Sequence, residues 1–256
     1  MTMMPIRFLH RVFAGVERRL YKRIRKGELR NTFGAKLEDG YLDSFELLKL
    51  IKTEVQTEQV VIYDVGGHIG TWAVLAKSIF PSSEVHVFEP LPIHWDILDK
   101  NIGKLPSVFV HRCALGSKNE VIQMHVTSSS DSSSLLPLTE NMHHEYGQVQ
   151  TALTDVEVVR LDDYVKTKSI RFPQVIKIDV QGYELEALKG AIDVLEQVKY
   201  IILEVSFIEL YKGQPLFKDI VTFLEEKGIS VYAFGKNTAL GKRVIQTDVL
   251  FKQTKK

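Results

Sequence analysis

Val60-Val-Ile-Tyr-Asp64-Val-Gly66-Gly67-His68-Ile-Gly70-Thr-Trp72 is the stretch from which the fold can be read. A short apolar, β-branched run ends in a carboxylate, passes three glycines and enters a helical pattern. The spacing predicts a buried strand over Val60–Val65 and a helix over Thr71–Ile79, stopped by Pro81. Glycine at 66 lets the chain turn sharply off the strand. Glycine at 70 lets the helix sit close to the sheet and leaves backbone that a ligand can approach. A dinucleotide fingerprint would need glycines where Asp64 and Ile69 stand, so that reading fails at two positions. A carboxylate at 64 repels a pyrophosphate and suits an ammonium. The loop therefore favours a cofactor carrying an amino acid, adenosylmethionine, over NAD. A tight turn in a flavodoxin-like binder is the structural alternative.

Working outward, short apolar runs alternate with helical patterns, the signature of βαβ units. Glu84–Phe88 reads as the second strand, Pro92 opens a helix through Asn101, and Val108–Arg112 reads as a third strand. Ile122, Met124 and Val126 alternate with polar residues, as on a half-buried strand. The serine-rich run 127–134 is expected to be loop, and Thr127–Gln150 as a whole is long enough to serve as a cover over a substrate. Strands follow at Val156–Val159, Gln174–Asp179, Tyr200–Val205, Ile229–Ala233 and Val244–Phe251. Helices are expected at Leu161–Val165, Tyr183–Lys189 (ended by Gly190) and Phe217–Lys227. The sum is an α/β, Rossmann-like sheet, mostly parallel with an antiparallel C-terminal strand pair and helices on both faces.

In such a sheet, ligands bind beyond the carboxyl ends of the strands where strand order reverses. Val-Phe-Glu89-Pro90 ends the second strand with a carboxylate about 20 residues after the glycine loop, where it can accept from ribose hydroxyls. A first-turn helix charge is the plainer role for Glu89. Lys177-Ile-Asp179-Val-Gln181-Gly182-Tyr183-Glu184 brings a second carboxylate to the carboxyl end of a buried strand, opening into the same crevice as Asp64. A carboxylate ending such a strand needs a partner. Glu184 can equally be a helix-start carboxylate with no further duty.

These motifs, with Leu161-Asp162-Asp163 between them, resemble FkbM-type methyltransferases over about Val60 to Ser206. They occur in the family's order, and four in order are more specific than any one. The resemblance implies a class I methyltransferase fold, S-adenosyl-L-methionine as donor, and O-methylation of a sugar, glycan or other small hydroxylated metabolite. It carries cofactor contact onto Asp64, Gly66, Gly70 and Glu89, and places Asp179 beside the methyl-transfer centre. The family's loop more often reads Gly-Ala-Asn where this chain has Gly66-Gly67-His68, so Gly67 and His68 depart from it. His68 can still hydrogen-bond, so both residues stay in the expected cofactor loop.

A hydroxyl acceptor must lose a proton, so a general base is expected. Asp179 is the first candidate, then Glu204 at the end of Ile-Ile-Leu-Glu, then His143 of the His143-His144 pair. Adjacent histidines in a polar stretch are more often solvated than catalytic. They give no metal site of recognisable spacing, and no metal is expected.

Bulk composition bounds the rest. At 256 residues, 45% apolar and 25% charged, the chain is an ordinary globular protein able to bury a large core. Cys113 is the lone cysteine, which rules out an internal disulfide and suits a reducing, cytoplasmic setting. No apolar run approaches the roughly 20 residues of a membrane span. Residues 1–30 hold nine Lys/Arg against two Glu, net +7, while the remainder holds 24 against 30, net −6. Ile6, Leu9, Val12, Phe13, Val16, Leu20 and Ile24 make an amphipathic helix of this basic segment, with Gly27 and Gly34 as stops. A second helix starts near Asp43. Residues 1–55 are therefore read as a helical extension and 56–256 as the catalytic domain. The extension's expected role is packing on that domain, with peripheral membrane contact or oligomer formation as alternatives. The acidic remainder argues against nucleic acid. Two other classes stay open, a non-catalytic binding module and a nucleotide-cofactor oxidoreductase.

Overall fold

The computed structural model describes residues 19–37, 44–55, 57, 59–235 and 243–254. Along the chain its strands are β1 (Val61–Val65), β2 (Glu84–Phe88), β3 (Val108–His111), β4 (Ala114–Leu115), β5 (Glu120–Thr127), β6 (Gln150–Val159), β7 (Val175–Ile178), β8 (Tyr200–Ser206), β9 (Ile229–Phe234) and β10 (Gln246–Gln253). The helices are α1 (residues 19–29), α2 (Phe45–Glu54), α3 (Thr71–Ile79), α4 (Pro92–Ile102), α5 (Glu140–Tyr146), α6 (Leu161–Lys168), α7 (Glu184–Lys189), α8 (Ile192–Gln197) and α9 (Phe217–Glu226). Seven strands form one sheet in the order β3-β2-β1-β7-β8-β10-β9. The chain winds outward from β1 through β2 to β3, then returns to the other side of β1 with β7. Every pair from β3 to β8 is parallel, and β10 runs antiparallel to both neighbours.

Alternation along β1 sends side chains to opposite faces, and each face meets its own core. Val61, Tyr63 and Val65 join the helices after β7 and β8. Val60 and Ile62 join α2, α3 and α4. Each fully buried Leu or Ile contributes roughly 1.5–3 kcal/mol, so the sheet is held from both sides. α2 belongs to this second core through Phe45, Leu47, Leu48 and Ile51. Glu54 at its end accepts from Tyr200 Oη (2.7 Å) and Lys252 Nζ (2.5 Å), tying α2 to β8 and β10.

Several expectations are corrected. β4, β6 and β5 form a separate three-stranded sheet, and β6 begins at Gln150 rather than Val156 because its exposed first half pairs with β5. The serine run is not plain loop. Thr127 closes β5, Ser130–Ser132 make a 3-10 turn, and Ser133 and Ser134 are buried. Hydroxyl hydrogen bonds make that burial tolerable: Ser134 Oγ donates to Gln181 O (2.6 Å), and Ser133 Oγ accepts from Thr127 N (3.2 Å). His143 and His144 lie on α5, not in a loop. α1 runs through Gly27 to residue 29, and Gly34 sits inside a short 3-10 helix.

Most of the expected amphipathic stripe, Ile6 to Val16, lies outside the described residues, as does Asp43. Leu20 and Ile24 are 58% and 50% exposed, so they do not make the expected packing on the catalytic domain, whereas Leu29 is buried against it. Among the described residues no helix is long and apolar enough to cross a membrane.

Candidate active site

The carboxyl ends of β1, β2, β7 and β8 meet at the point where strand order reverses. At the end of β1, Gly66 N and Gly67 N both donate to Phe88 O at 3.0 Å, clamping the loop to β2. Gly66 has φ +79°, and a Cβ there would lie 1.9 Å from Asp179 O. Glycine is therefore required both for the turn and for the closeness of β7. His68 also adopts positive φ (50°), and its N–H donates to Glu89 Oε2 at 2.8 Å. The other oxygen, Glu89 Oε1, accepts from Leu91 N (2.8 Å) and His94 Nδ1 (3.0 Å). A carboxylate accepts only, so His94 carries its proton on Nδ1. His94 Nε2 is buried without a partner among the described residues.

Two clefts open from this loop. The first is a narrow slot with Phe88, Leu91, Cys113, Leu115, Met124 and Leu135 as its apolar wall and Glu89 and His94 on its polar side. The Cys113 thiol is buried, which pushes it up to about 12, so it acts as wall rather than nucleophile. The second is wider and polar. Trp72, Asp131, Lys177, Asp179, Gln181, Glu204, Gln246 and Asp248 are among its lining. Gly66, His68, Asp131, Asp179 and Gln181 line both clefts, so the two form one crevice.

Lys177 stands at the centre of its electrostatics. Its Nζ lies 3.3 Å from Gly66 O, 3.3 Å from Asp179 Oδ2 and 3.6 Å from Asp64 Oδ1. Burial alone would lower its pKa, but Asp179, Asp64 and Asp248 outweigh it and hold it above the ordinary value. Asp64 is fully buried, and burial raises its carboxyl to about 6 despite Lys177. Gln181 Nε2 donates to Asp179 Oδ1 (2.7 Å) and Glu204 Oε2 (3.1 Å), and Gln246 Nε2 also donates to Glu204 Oε2 (3.0 Å). Burial first, then Asp179 and Asp248, push the Glu204 carboxyl well above the usual range. Tyr211 Oη lies 2.8 Å from both Gln181 Oε1 and Ser132 O, joining the serine run to the carboxylates. Glu184 accepts from Val180 N (3.2 Å) and Gly182 N (3.0 Å), pinning the turn where Gln181 and Gly182 take positive φ.

Of the residues singled out in the sequence, Gly66, Gly67, His68, Glu89, Asp179 and Glu204 line the crevice. Asp64 and Gly70 lie behind it. Asp64 is under the loop against Lys177, and Gly70 packs against Leu98 and Ile102. His143 is exposed on α5 and lines neither cleft. Sequence reasoning gave no role to Lys177, although it stands two residues before Asp179 and thus on the same face of the strand. It also passed over Trp72, His94, Gln246 and Asp248. The last two reach the crevice through the pairing of β10 with β8, for which the sequence carries no local signal. Among the described residues no group of His, Cys, Asp and Glu could hold a metal ion.

The crevice fits S-adenosylmethionine on its own chemistry. An apolar slot suits the flat purine, Glu89 Oε2 retains a lone pair for a ribose hydroxyl, and the orphaned His94 Nε2 awaits a donor. Comparison with known proteins agrees. The family model described as the methyltransferase FkbM domain matches residues 64–231. The chain is 28% identical over 186 residues to the hexuronic acid methyltransferase AglP of Haloferax volcanii, covering 72% of this chain and 69% of that protein. It is 26% identical over 219 residues to the 2-O-methyltransferase NoeI of Sinorhizobium fredii, covering 83% and 87%. The crystal structure of methyltransferase FkbM from Methylobacillus flagellatus KT superposes with a TM-score of 0.52 at 15% identity, a likeness of fold. That match covers 90% of this chain and 60% of the other, longer one.

Proposed function

Because the chain belongs to the FkbM methyltransferase family, we propose that it methylates a hydroxyl group of a sugar, glycan or other small metabolite. The observation that carries this reading is the joined crevice: an apolar slot with Glu89 on its polar side opens directly onto a cleft lined by Asp179 and Glu204. The relatives named for hexuronic acid and for 2-O-methylation support oxygen on a sugar as the acceptor.

The cofactor is S-adenosylmethionine, which supplies an electrophilic methyl group on a sulfonium sulfur. Glu89 and the apolar slot hold its nucleoside end, while the Gly66 loop and the first turn of α3, with its free N–H groups, face its amino-acid end. The chain's main task is then alignment, because donor and acceptor must be held in near-attack contact at roughly 3–3.5 Å. Asp179, fixed by Lys177 and Gln181, orients the acceptor by accepting a hydrogen bond from it. Glu204 takes the hydroxyl proton. Its raised proton affinity suits a base near neutral pH better than a fully ion-paired carboxylate would.

Calorimetry with S-adenosylmethionine tests the first half of this reading. Micromolar-range binding by the wild type, lost in Glu89→Ala, is expected. Absence of binding by folded wild type would end it. Release of S-adenosylhomocysteine over a panel of hydroxylated acceptors tests the second half, with Glu204→Gln expected to lower kcat by about 100-fold or more.

A further inference from the structure

Helix α1 turns an apolar face away from the rest of the described chain. Leu20 and Ile24, one turn apart, are 58% and 50% exposed, and Tyr21 beside them is 47% exposed. Gly27 continues the same face, and a Cβ added there would meet nothing within 4 Å. Arg25 and Leu29, also one turn apart, lie on the far side and are buried, Leu29 in the core that holds α2 and α3. One side of α1 is thus anchored while the other stays open. Arg19, Arg23 and Lys26 are exposed and flank the open face. Glu28, its one acidic residue, is paired with Lys49 of α2 at 2.8 Å. The spacing of Leu20 and Ile24 runs back in the sequence through Val16, Phe13, Leu9 and Ile6, and residues 1–30 carry a net charge of +7.

Charge selects what covers this face. A second copy of the chain would bring its own basic segment, and like charges oppose that pairing. Nucleic acid answers the cations but leaves Leu20 and Ile24 against water. An anionic bilayer answers both, because apolar side chains enter the boundary between headgroups and acyl chains while cations stay at the phosphates. We propose that α1 is an interfacial helix that docks this chain on an anionic lipid surface. Leu20, Tyr21 and Ile24 enter the bilayer boundary, and Arg19, Arg23 and Lys26 meet the headgroups. The inference is independent of the methyl-transfer reading above.

Vesicle flotation of the full chain tests it, with phosphatidylcholine alone and with about 30% phosphatidylglycerol added. Binding to the anionic vesicles is expected to be at least about tenfold tighter, and to weaken as salt rises from about 50 to about 500 mM. Leu20→Ser with Ile24→Ser, and separately Arg19→Gln with Arg23→Gln, should each weaken it about tenfold. Because these side chains are exposed, Tm should stay within about 2 °C of wild type. No vesicle binding by folded wild type overturns the proposal, as does equal binding to neutral and anionic vesicles. Binding that survives the Leu20 and Ile24 changes overturns the apolar docking face. Sedimentation as a dimer that those two changes abolish, without vesicle binding, gives the face to a second copy instead. Tighter binding to a duplex oligonucleotide than to the anionic vesicles gives it to nucleic acid.

Discussion

At Gly66 an added Cβ would meet the carbonyl oxygen of Asp179 on a residue already at φ +79°. Gly66→Ala must therefore push the β1 turn away from β7. Calorimetry is expected to show cofactor binding lost while far-ultraviolet circular dichroism stays native. Retained binding would mean that the loop does not carry the cofactor. Lys177 and Asp64 make the second residue-scale case. Lys177→Met leaves a fully buried carboxylate without its cation, and breaking such a pair costs about 3 kcal/mol. Adding Asp64→Asn removes the stranded charge, so urea denaturation should show the double variant more stable than Lys177→Met alone. Equal stabilities would show that Lys177 does not serve Asp64.

At the scale of elements, β2, β3 and α6 are stitched by a half-buried chain of side chains. Glu84 Oε1 lies 3.0 Å from His86 Nε2, His86 Nδ1 lies 2.9 Å from His111 Nε2, and His111 Nδ1 lies 3.1 Å from Tyr164 Oη. Glu84 can only accept, so each imidazole donates toward Glu84 and accepts from the other side, and both are neutral. Burial, then His86, lowers His111 to about 4. An unfolded chain takes up that proton near 6.5. Stability is therefore full above about pH 6.5, falls as the pH drops toward 4, and stops falling below that. The limit is roughly 3 kcal/mol for His111. Thermal melts of wild type and His111→Phe across this window check it: the variant's Tm should depend less on pH there.

For the molecule as a whole, binding in a crevice built from β1, β2, β7 and β8 should stabilise the main sheet by mass action. Ligand at about 100 times its Kd adds about 2.7 kcal/mol. In a chain of 256 residues that corresponds to a Tm rise of about 5–10 °C. S-adenosylhomocysteine should produce this shift in wild type and not in Gly66→Ala. A shift of equal size in both would place the binding elsewhere. Helix α2 is part of this same body, because its Ile51 is fully buried in the core that also holds α3 and α4. Ile51→Ala should cost about 2–5 kcal/mol in urea denaturation.

The alternation of strands and helices, the Gly66 turn and the carboxylates ending β1, β2 and β7 were all legible in the sequence. Each depends on a handful of consecutive residues: a period of two or of 3.6, a glycine where a turn is needed, a charge at the end of an apolar run. The separate β4-β6-β5 sheet was not legible, because half of β6 is exposed and gains its strand character only from pairing with β5. Nor were the partners of the carboxylates that line the crevice. Gln246 and Asp248 come to Glu204 from more than forty residues away through the register of β10 on β8, and Lys177 reaches Asp64 across the β1–β7 pair. Asp64 itself was visible as an acidic strand end, but only the closed loop above it puts its carboxylate behind the crevice rather than in it. Local sequence determined which elements form and where the crevice opens. Tertiary pairing decided which charges face one another across it, because register and burial are properties of segments far apart in the chain.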